Sequence, residues 1–471
     1  MNSSSGVCQL DFFIVLSALL LLMFAAYRGY SVILFAPICA LLAVLLTDPS
    51  MVLPMFSGVF MDKMVAFIKL YFPVFMLGAV FGKVIELSGF SKSIVTAVIG
   101  LVGKQRAILS IVLVCALLTY GGVSLFVVVF AVYPFAAEMF RQSDIPKRLI
   151  PATIALGAFT FTMAALPGTP QIQNIIPTTF FKTTTWAAPW LGIIGTLFIF
   201  TVGLLYLEWR RKAAARAGEG YGDNHQNEPE RLDEVTLPNP YIAVLPLILV
   251  GVLNKVFTSL IPVYFGSTQT LNISGQPLTV QVTPLVAIWA VQGALLGGIV
   301  CVMLFAFKSV ASRFAAGSTS AIAGSLLAAM NTASEYGFGA VIAALPGFAW
   351  ITGALKNIPN PLINEAISVS LLAGITGSAS GGMSIALAAL ADNFIRAANA
   401  ANIPLEVLHR VASMASGGMD TMPHNGAVIT LLAVTGLTHR QSYRDIFAVS
   451  VVIATSAVFV VIGTYYLIGI Y

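Results

Sequence analysis

Leu166-Pro-Gly-Thr-Pro-Gln-Ile-Gln-Asn174 interrupts a stretch that is otherwise fit to cross a bilayer, since nothing ionisable lies between Arg148 and Lys182. Asp420-Thr-Met-Pro-His-Asn-Gly426 makes a second interruption of the same kind. Pro167, Pro170 and Pro423 remove backbone donors and free carbonyls, while Gly168 and Gly426 permit the turn. An unwound helix presents a free N-terminus, whose amides and partial positive charge suit a carboxylate without a buried arginine. Thr169, Gln171, Gln173, Asn174 and Asn425 add directional donors and acceptors. Any one of them reads equally well as a tie between helices. As a set in two places, they point to ligand binding.

The surroundings are lipid. A chain with 58% hydrophobic and 9% charged residues and a mean hydropathy of +0.92 has too little polar surface for a soluble globule. Several charge-free runs reach the roughly 20 residues that a spanning helix needs, among them Phe12–Tyr27, Gly29–Thr47 and Phe447–Tyr471. The run from Lys255 to Lys308 divides into two spans around the polar stretch 267–281. No Lys or Arg precedes the apolar run from Phe12, so it reads as a first spanning helix rather than a signal peptide. Cys8, Cys39, Cys115 and Cys301 are scattered and read as small buried hydrophobes, with no disulfide or metal site implied. The net charge of +5 reflects basic residues at helix ends and carries no message about nucleic acid.

Only the stretch 209–239 looks soluble. It begins with Arg210, Arg211, Lys212 and Arg216, which places it in the cytoplasm, and it separates a membrane repeat over 1–208 from another over 240–471. His225 within it reads as solvated. The halves share an order of features. Glu86 with Gly89-Phe90, Gly121-Gly122, Ile145-Pro146, Met163 and Pro167 are matched by Glu335 with Gly337-Phe338, Gly381-Gly382, Ile403-Pro404, Met419 and Pro423. Each Gly-Gly lies in a segment too long for one helix. The first, about 105–140, has Lys104, Arg106, Arg141, Lys147 and Arg148 at its two ends, so it enters, turns at 120–124 and leaves by the same face. The second, about 364–396, turns at 377–382. Two short complete helices with an external turn are the alternative. Counting crossings inverts one half relative to the other and puts the N-terminus outside. Inverted repeats with broken helices at mid-membrane are a secondary-transporter design.

Within this frame the candidate binding residues are Gly121, Gly122, Ser124, Gly168, Thr169, Gln171, Asn174, Ser378, Ser380, Gly381, Gly382, His424, Asn425 and Gly426. Asp420 and His424 stand out for proton coupling, because an ionisable group at membrane depth is costly and usually functional or paired. They are one turn apart if the segment is helical, so a static pair bracing the break is the alternative. Histidine titrates near neutral pH and suits a proton carrier. Glu86 and Glu335 occupy matching positions and are secondary candidates. Aligning Met163 with Met419 sets Ala164 opposite Asp420, as if one half had lost an acid. His409 and Arg410 receive no role, and His439, Arg440 and Arg444 read as cytoplasmic anchors.

At Ala165-Leu-Pro-Gly-Thr-Pro-Gln-Ile-Gln-Asn174, Met422-Pro-His-Asn-Gly-Ala-Val-Ile-Thr-Leu-Leu432 and Thr438-His-Arg-Gln-Ser-Tyr-Arg-Asp445, the chain resembles the gluconate permease (GntP) family of the ion transporter superfamily. The resemblance covers nearly the whole chain. It implies an all-α polytopic fold of two inverted repeats, each with a re-entrant hairpin and a broken helix, working as an elevator. It also implies a homodimer in the bacterial inner membrane. Proton symport of a hydroxy acid follows, such as gluconate, another aldonate, 3-hydroxybutyrate, glycerate or D-serine. No cofactor is called for beyond the proton gradient. A channel and an intramembrane enzyme are rivals from other classes, but no nucleophile motif or metal-ligand spacing supports an enzyme. The scarcity of charge at the breaks favours a monocarboxylate, and Ile172, Ile175 and Ile176 hint at a short, less hydroxylated one.

Overall fold

A computed structural model describes residues 3–28, 30–103, 106–123, 125–223, 225–229, 237–273, 276–348, 358–423 and 425–471. The chain opens with α1 (Ser3–Tyr27) and α2 (Val32–Thr47), followed by the long α3 (Pro49–Leu87), which contains a π-helical stretch at Phe56–Phe60. After α4 (Phe90–Val102) come α5 (Ala107–Tyr120) and α6 (Leu125–Gln142), and then α7 (Ile150–Ala158), the single turn α8 (Phe161–Ala164), α9 (Ile172–Phe181) and α10 (Pro189–Arg216). The second half runs α11 (Pro240–Phe265), an antiparallel pair β1 (Thr268–Ile273) and β2 (Gln276–Gln281), and α12 (Val286–Ala344). It ends with α13 (Pro361–Thr376), α14 (Ala379–Ala400), α15 (Leu405–Ser416), α16 (Gly426–Thr435) and α17 (His439–Ile468).

Helix α12 is 59 residues long, and a straight helix of that length would extend about 89 Å. It does not run straight. Leu285, just before it, shares a cavity with Phe67 and Leu70; Gly298 faces Phe81; Arg313 donates to the Leu87 carbonyl at 3.2 Å; and Gly337 lies against Phe60. The helix therefore climbs α3, reverses near Ala306, whose φ of −130° and ψ of 26° leave the helical region, and descends it again. These are the two crossings expected from the sequence, joined by a bend with Lys308 and Arg313 beyond it.

Both Gly-Gly segments form hairpins. α5 and α6 pack on each other and on α7, while α13 and α14 pack on each other and on α15. The repeats then interlock: α9, after the first break, packs on α14 and α15, and α16, after the second, packs on α6 and α7. Each half makes an odd number of crossings. In the first these are α1, α2, α3, the broken α7 to α9, and α10; in the second they are α11, the two limbs of α12, the broken α15 to α16, and α17. The second half is consequently inverted. Large exposed apolar side chains such as Leu197, Leu205, Val263 and Leu304 form the lipid-facing surface. Cys39, Cys115 and Cys301 are buried and free, as expected; the Cys8 side chain lies outside the described residues.

The segment 209–239 differs from its sequence reading in two ways. α10 continues through the basic cluster to Arg216, and residues 219–228 are docked rather than merely solvated. Glu219 pairs with Arg148 at 2.6 Å, and Glu228 pairs with Lys147 at 2.8 Å and with Arg141 at 2.5 Å. The Asn227 amide donates to the Ala433 carbonyl at 2.8 Å, while its own carbonyl accepts from the Tyr133 hydroxyl at 2.8 Å. His225 bonds the Tyr221 carbonyl at 2.8 Å. The hydrogen bond from Arg148 holds the Glu219 carboxyl below its ordinary value of 4.5. Partial burial would raise Glu228, but hydrogen bonds from Lys147, Arg141 and Tyr221 bring it below 4.5 as well.

Candidate functional site

The first hairpin turns where expected, at Gly121 and Gly122. Gly122 has a φ of +94°, and the Leu247 side chain leaves no space for a methyl on Gly121. The second hairpin turns at the start of its expected stretch, 377–382. Gly377 takes a φ of +63°, and the Ser378 hydroxyl caps α14 by accepting from the Gly381 amide at 3.0 Å. Gly381 and Gly382 thus belong to the first turn of α14, not to the loop. They are small because the Glu335 carboxyl occupies the space beside Gly381, and the Ala373 backbone of α13 the space beside Gly382.

Each break is tied to the tip of its own hairpin. At the first, Gln171 donates from Nε2 to the Thr119 carbonyl at 2.7 Å, and the Tyr120 hydroxyl donates to the Pro167 carbonyl at 3.0 Å. At the second, Asn425 donates from Nδ2 to the Gly377 carbonyl at 2.8 Å and caps α16 by accepting from the Val428 amide at 2.8 Å. Gly426 at that helix start is exposed with open space beside it. Gly168 bends at a φ of +77° against Trp186, and its carbonyl accepts from Asn254 at 2.8 Å. Thr169 is buried and its hydroxyl has no partner among the described residues. Ser380 faces Thr332 at 3.2 Å. Ser124 and His424 lie outside the described residues.

Several expectations are corrected. Asn174 does not face an open site, because its amide donates to the Thr169 and Thr185 carbonyls and its Oδ1 accepts from His409 and Arg410, each at 3.1 Å. The regular helical turn that would set Asp420 beneath position 424 does not run through 419–422. Met419–Thr421 is a single 3-10 turn and Met422 is extended, with a φ of −62° and ψ of 161°. Asp420 is only 9% exposed and its Oδ1 finds no partner among the described residues. Glu86 and Glu335 occupy unlike places. Glu86 has a side chain 42% exposed and forms a local pair with Lys83 at 2.8 Å, an arrangement worth little energetically. Glu335 is 3% exposed, its carboxyl lies beside Gly381 at the start of α14, and its Oε2 has no partner among the described residues. Ala164 is buried against Gly417, and its carbonyl accepts from Arg410 at 3.2 Å and Ser413 at 2.8 Å.

Three groups went unassigned in the sequence. Arg410 is fully buried with no carboxylate partner among the described residues; it holds the Ala187 and Ala164 carbonyls and Asn174, clamping α15 of one half to the break of the other. His409 beside it bridges Asn174 and the Thr183 hydroxyl, at 3.1 and 2.6 Å. Glu365 is fully buried in α13 with both carboxyl oxygens unpartnered among the described residues. The cost of an ionisable residue in an apolar segment was the available signal for all three. The stretch Thr438–Asp445 also does more than anchor. His439 bonds the Pro423 carbonyl at 2.8 Å, the Tyr443 hydroxyl donates to the Thr421 carbonyl at 3.0 Å, and buried Asp445 accepts from Arg148, Arg210 and Tyr206.

The two breaks and the two hairpin tips thus form a core of paired helix ends in which polar backbone meets amide side chains. No family model matches the chain. A full-length relative does exist: the chain is 58% identical over 472 residues to "Uncharacterized transporter YxjC" of Bacillus subtilis, covering 98% of this chain and 100% of that protein. The chain belongs to that transporter family. Among solved structures, the Alcanivorax borkumensis YdaH transporter, described as having an unusual topology, is similar with a TM-score of 0.49 and 17% identity, over 86% of this chain and 88% of that one. The protein is a multi-pass membrane transporter and not an enzyme. Among the described residues, no cluster of three or more His, Cys, Asp or Glu is arranged to hold a metal.

Proposed function

We propose that this transporter is a proton symporter of the gluconate permease type that imports a small hydroxy-monocarboxylate, of the order of gluconate or 3-hydroxybutyrate, across the bacterial inner membrane. The observation that carries the reading is the matched tethering of each hairpin tip to its broken helix, through Gln171 to Thr119 and Asn425 to Gly377. Such a pair of tips and breaks offers amide donors to a carboxylate. Glu335 is the acid best placed to carry the proton, since its carboxyl lies beside Gly381, next to the hairpin tip where the anion would sit; Asp420 is the second. Coupling then arises because protonating one of these acids removes a negative charge beside the bound anion, so proton and substrate favour one another. Elevator movement of the hairpins within a homodimer is the mode of access, with the linker cytoplasmic and the N-terminus periplasmic.

The test is uptake of labelled 3-hydroxybutyrate and gluconate into proteoliposomes under an imposed proton gradient. Saturable uptake that collapses with a protonophore is expected. Uptake driven by sodium alone, or transport without saturation or counterflow, would remove the reading. Glu335→Gln is expected to abolish the response to the proton gradient while exchange of internal for external substrate continues.

A further inference from the structure

A cavity of about 260 Å³ opens beside the second hairpin, and neither tips nor breaks line it. Its walls are aromatic. Phe67 lies 4.6 Å from Tyr71 and 5.8 Å from Tyr336 between ring centroids, and Phe180 meets Tyr336 edge-on at 6.3 Å. Exposed Lys182 stands at its mouth, its ammonium donating to the Thr179 carbonyl at 2.8 Å. At the inner end is Ser384, which is fully buried and whose hydroxyl has no partner among the described residues. Ser384 follows Gly381 within α14, and Tyr336 follows Glu335 in α12, so the inner end adjoins the hairpin tip. Pro284 and Leu285 also line it, which puts the cavity on the face of the β1–β2 pair, opposite the docked linker.

We infer that this aromatic cavity is an antechamber that binds short monocarboxylates with an apolar tail before they reach the second hairpin tip, with Lys182 attracting the carboxylate and Ser384 receiving the group that leads inward. The inference rests on the anion-carrier reading and narrows its substrate class. The volume is small beside the roughly 300 to 1,000 Å³ of sites for drug-sized ligands. Its polar complement is poor for a polyol. The Tyr71 hydroxyl is already engaged with Thr179 at 2.6 Å and with the Ile176 carbonyl, leaving too few partners for a chain of hydroxyls, each of which costs free energy if buried unpaired. Butyrate and 3-hydroxybutyrate fit this chemistry, and gluconate does not.

The test places a single cysteine, Ser384→Cys, in full-length protein whose four native cysteines are alanine, and follows its modification by a small thiosulfonate reagent. Butyrate and 3-hydroxybutyrate are expected to slow modification at least about threefold at concentrations where gluconate has no effect. Equal protection by gluconate, or none by any of the three, overturns the inference. Lys182→Gln, at an exposed position whose ammonium makes a local hydrogen bond to the Thr179 carbonyl, is expected to raise the half-protecting concentration about threefold, the scale of one exposed charge pair; no change would count against Lys182. Uptake is measured separately with the same three acids. Uptake without protection overturns the antechamber and leaves the carrier reading standing, whereas protection without uptake of any acid does the reverse.

Discussion

Asn425 serves two masters, and its substitutions separate them. Asn425→Ala removes both the cap of α16 and the donor to Gly377, a loss of about 2 kcal/mol from one cap and one hydrogen bond. Asn425→Asp keeps the acceptor for Val428 but cannot donate to the Gly377 carbonyl. The expected outcome is a partial loss of thermal stability for the Asp variant, which keeps the cap, with uptake reduced at least tenfold, and a loss of both cap and tether for the Ala variant. Thermal melts in detergent beside proteoliposome uptake decide it. Arg410 presents the opposite case, a charge whose work is architectural. Arg410→Leu leaves the Ala187 carbonyl unpaired, costing about 1 to 3 kcal/mol, and leaves Ala164 with Ser413 as its side-chain donor, and Arg410→Lys recovers only part because a single ammonium cannot reproduce the planar fork. Expression and melting temperature should fall in the order Arg, Lys, Leu.

At the scale of elements, the sequence revealed its re-entrant hairpins because basic residues at both ends of 105–140 cannot flank a single crossing, and Gly121-Gly122 marked the turn. The second turn lies within its expected stretch, at Gly377 and Ser378, but Gly381 and Gly382 belong to α14, because helix-packing glycines and turn glycines look alike in a sequence; only the nearness of Glu335 and Ala373 tells them apart. Glu365 was passed over because the hairpin was begun at residue 364, whereas Pro361 in the first turn starts the helix earlier and draws Glu365 inside. Arg410 was invisible as a clamp because its partners lie more than 200 residues away. The docked linker was likewise hidden in a stretch whose composition reads as solvated. Its ion pairs set a pH dependence. Glu219 and Glu228 have folded values below 4.5, so their contribution is intact above that pH and is lost as pH falls through the lower folded values. Hydrogen exchange over 217–229, corrected for intrinsic rates, should be constant from pH 7 to 5 and quicken only below about 4.5.

For the whole molecule, inversion makes a prediction about sidedness. α11 rises about 39 Å over its 26 residues, enough to cross the bilayer between the linker and the β1–β2 pair. Ala217→Cys and Ser267→Cys, both at exposed positions, should react with a membrane-impermeant maleimide from opposite faces of oriented vesicles. Reaction of both from one face would break the topology.

The interlocking of the halves also bears on how the protein is made. The Tyr133 hydroxyl, in the first hairpin, lies 3.4 Å from the Thr435 carbonyl across 302 positions of chain, and α6 packs on α16 as well as on α5 and α7. During synthesis the first hairpin must wait in the membrane, the face that α16 will cover still open, until nearly the entire polypeptide has been delivered. Holding that unfinished cleft through translation is a burden that falls on the insertion machinery, and a truncated product ending before α16 would be a natural target for membrane proteolysis.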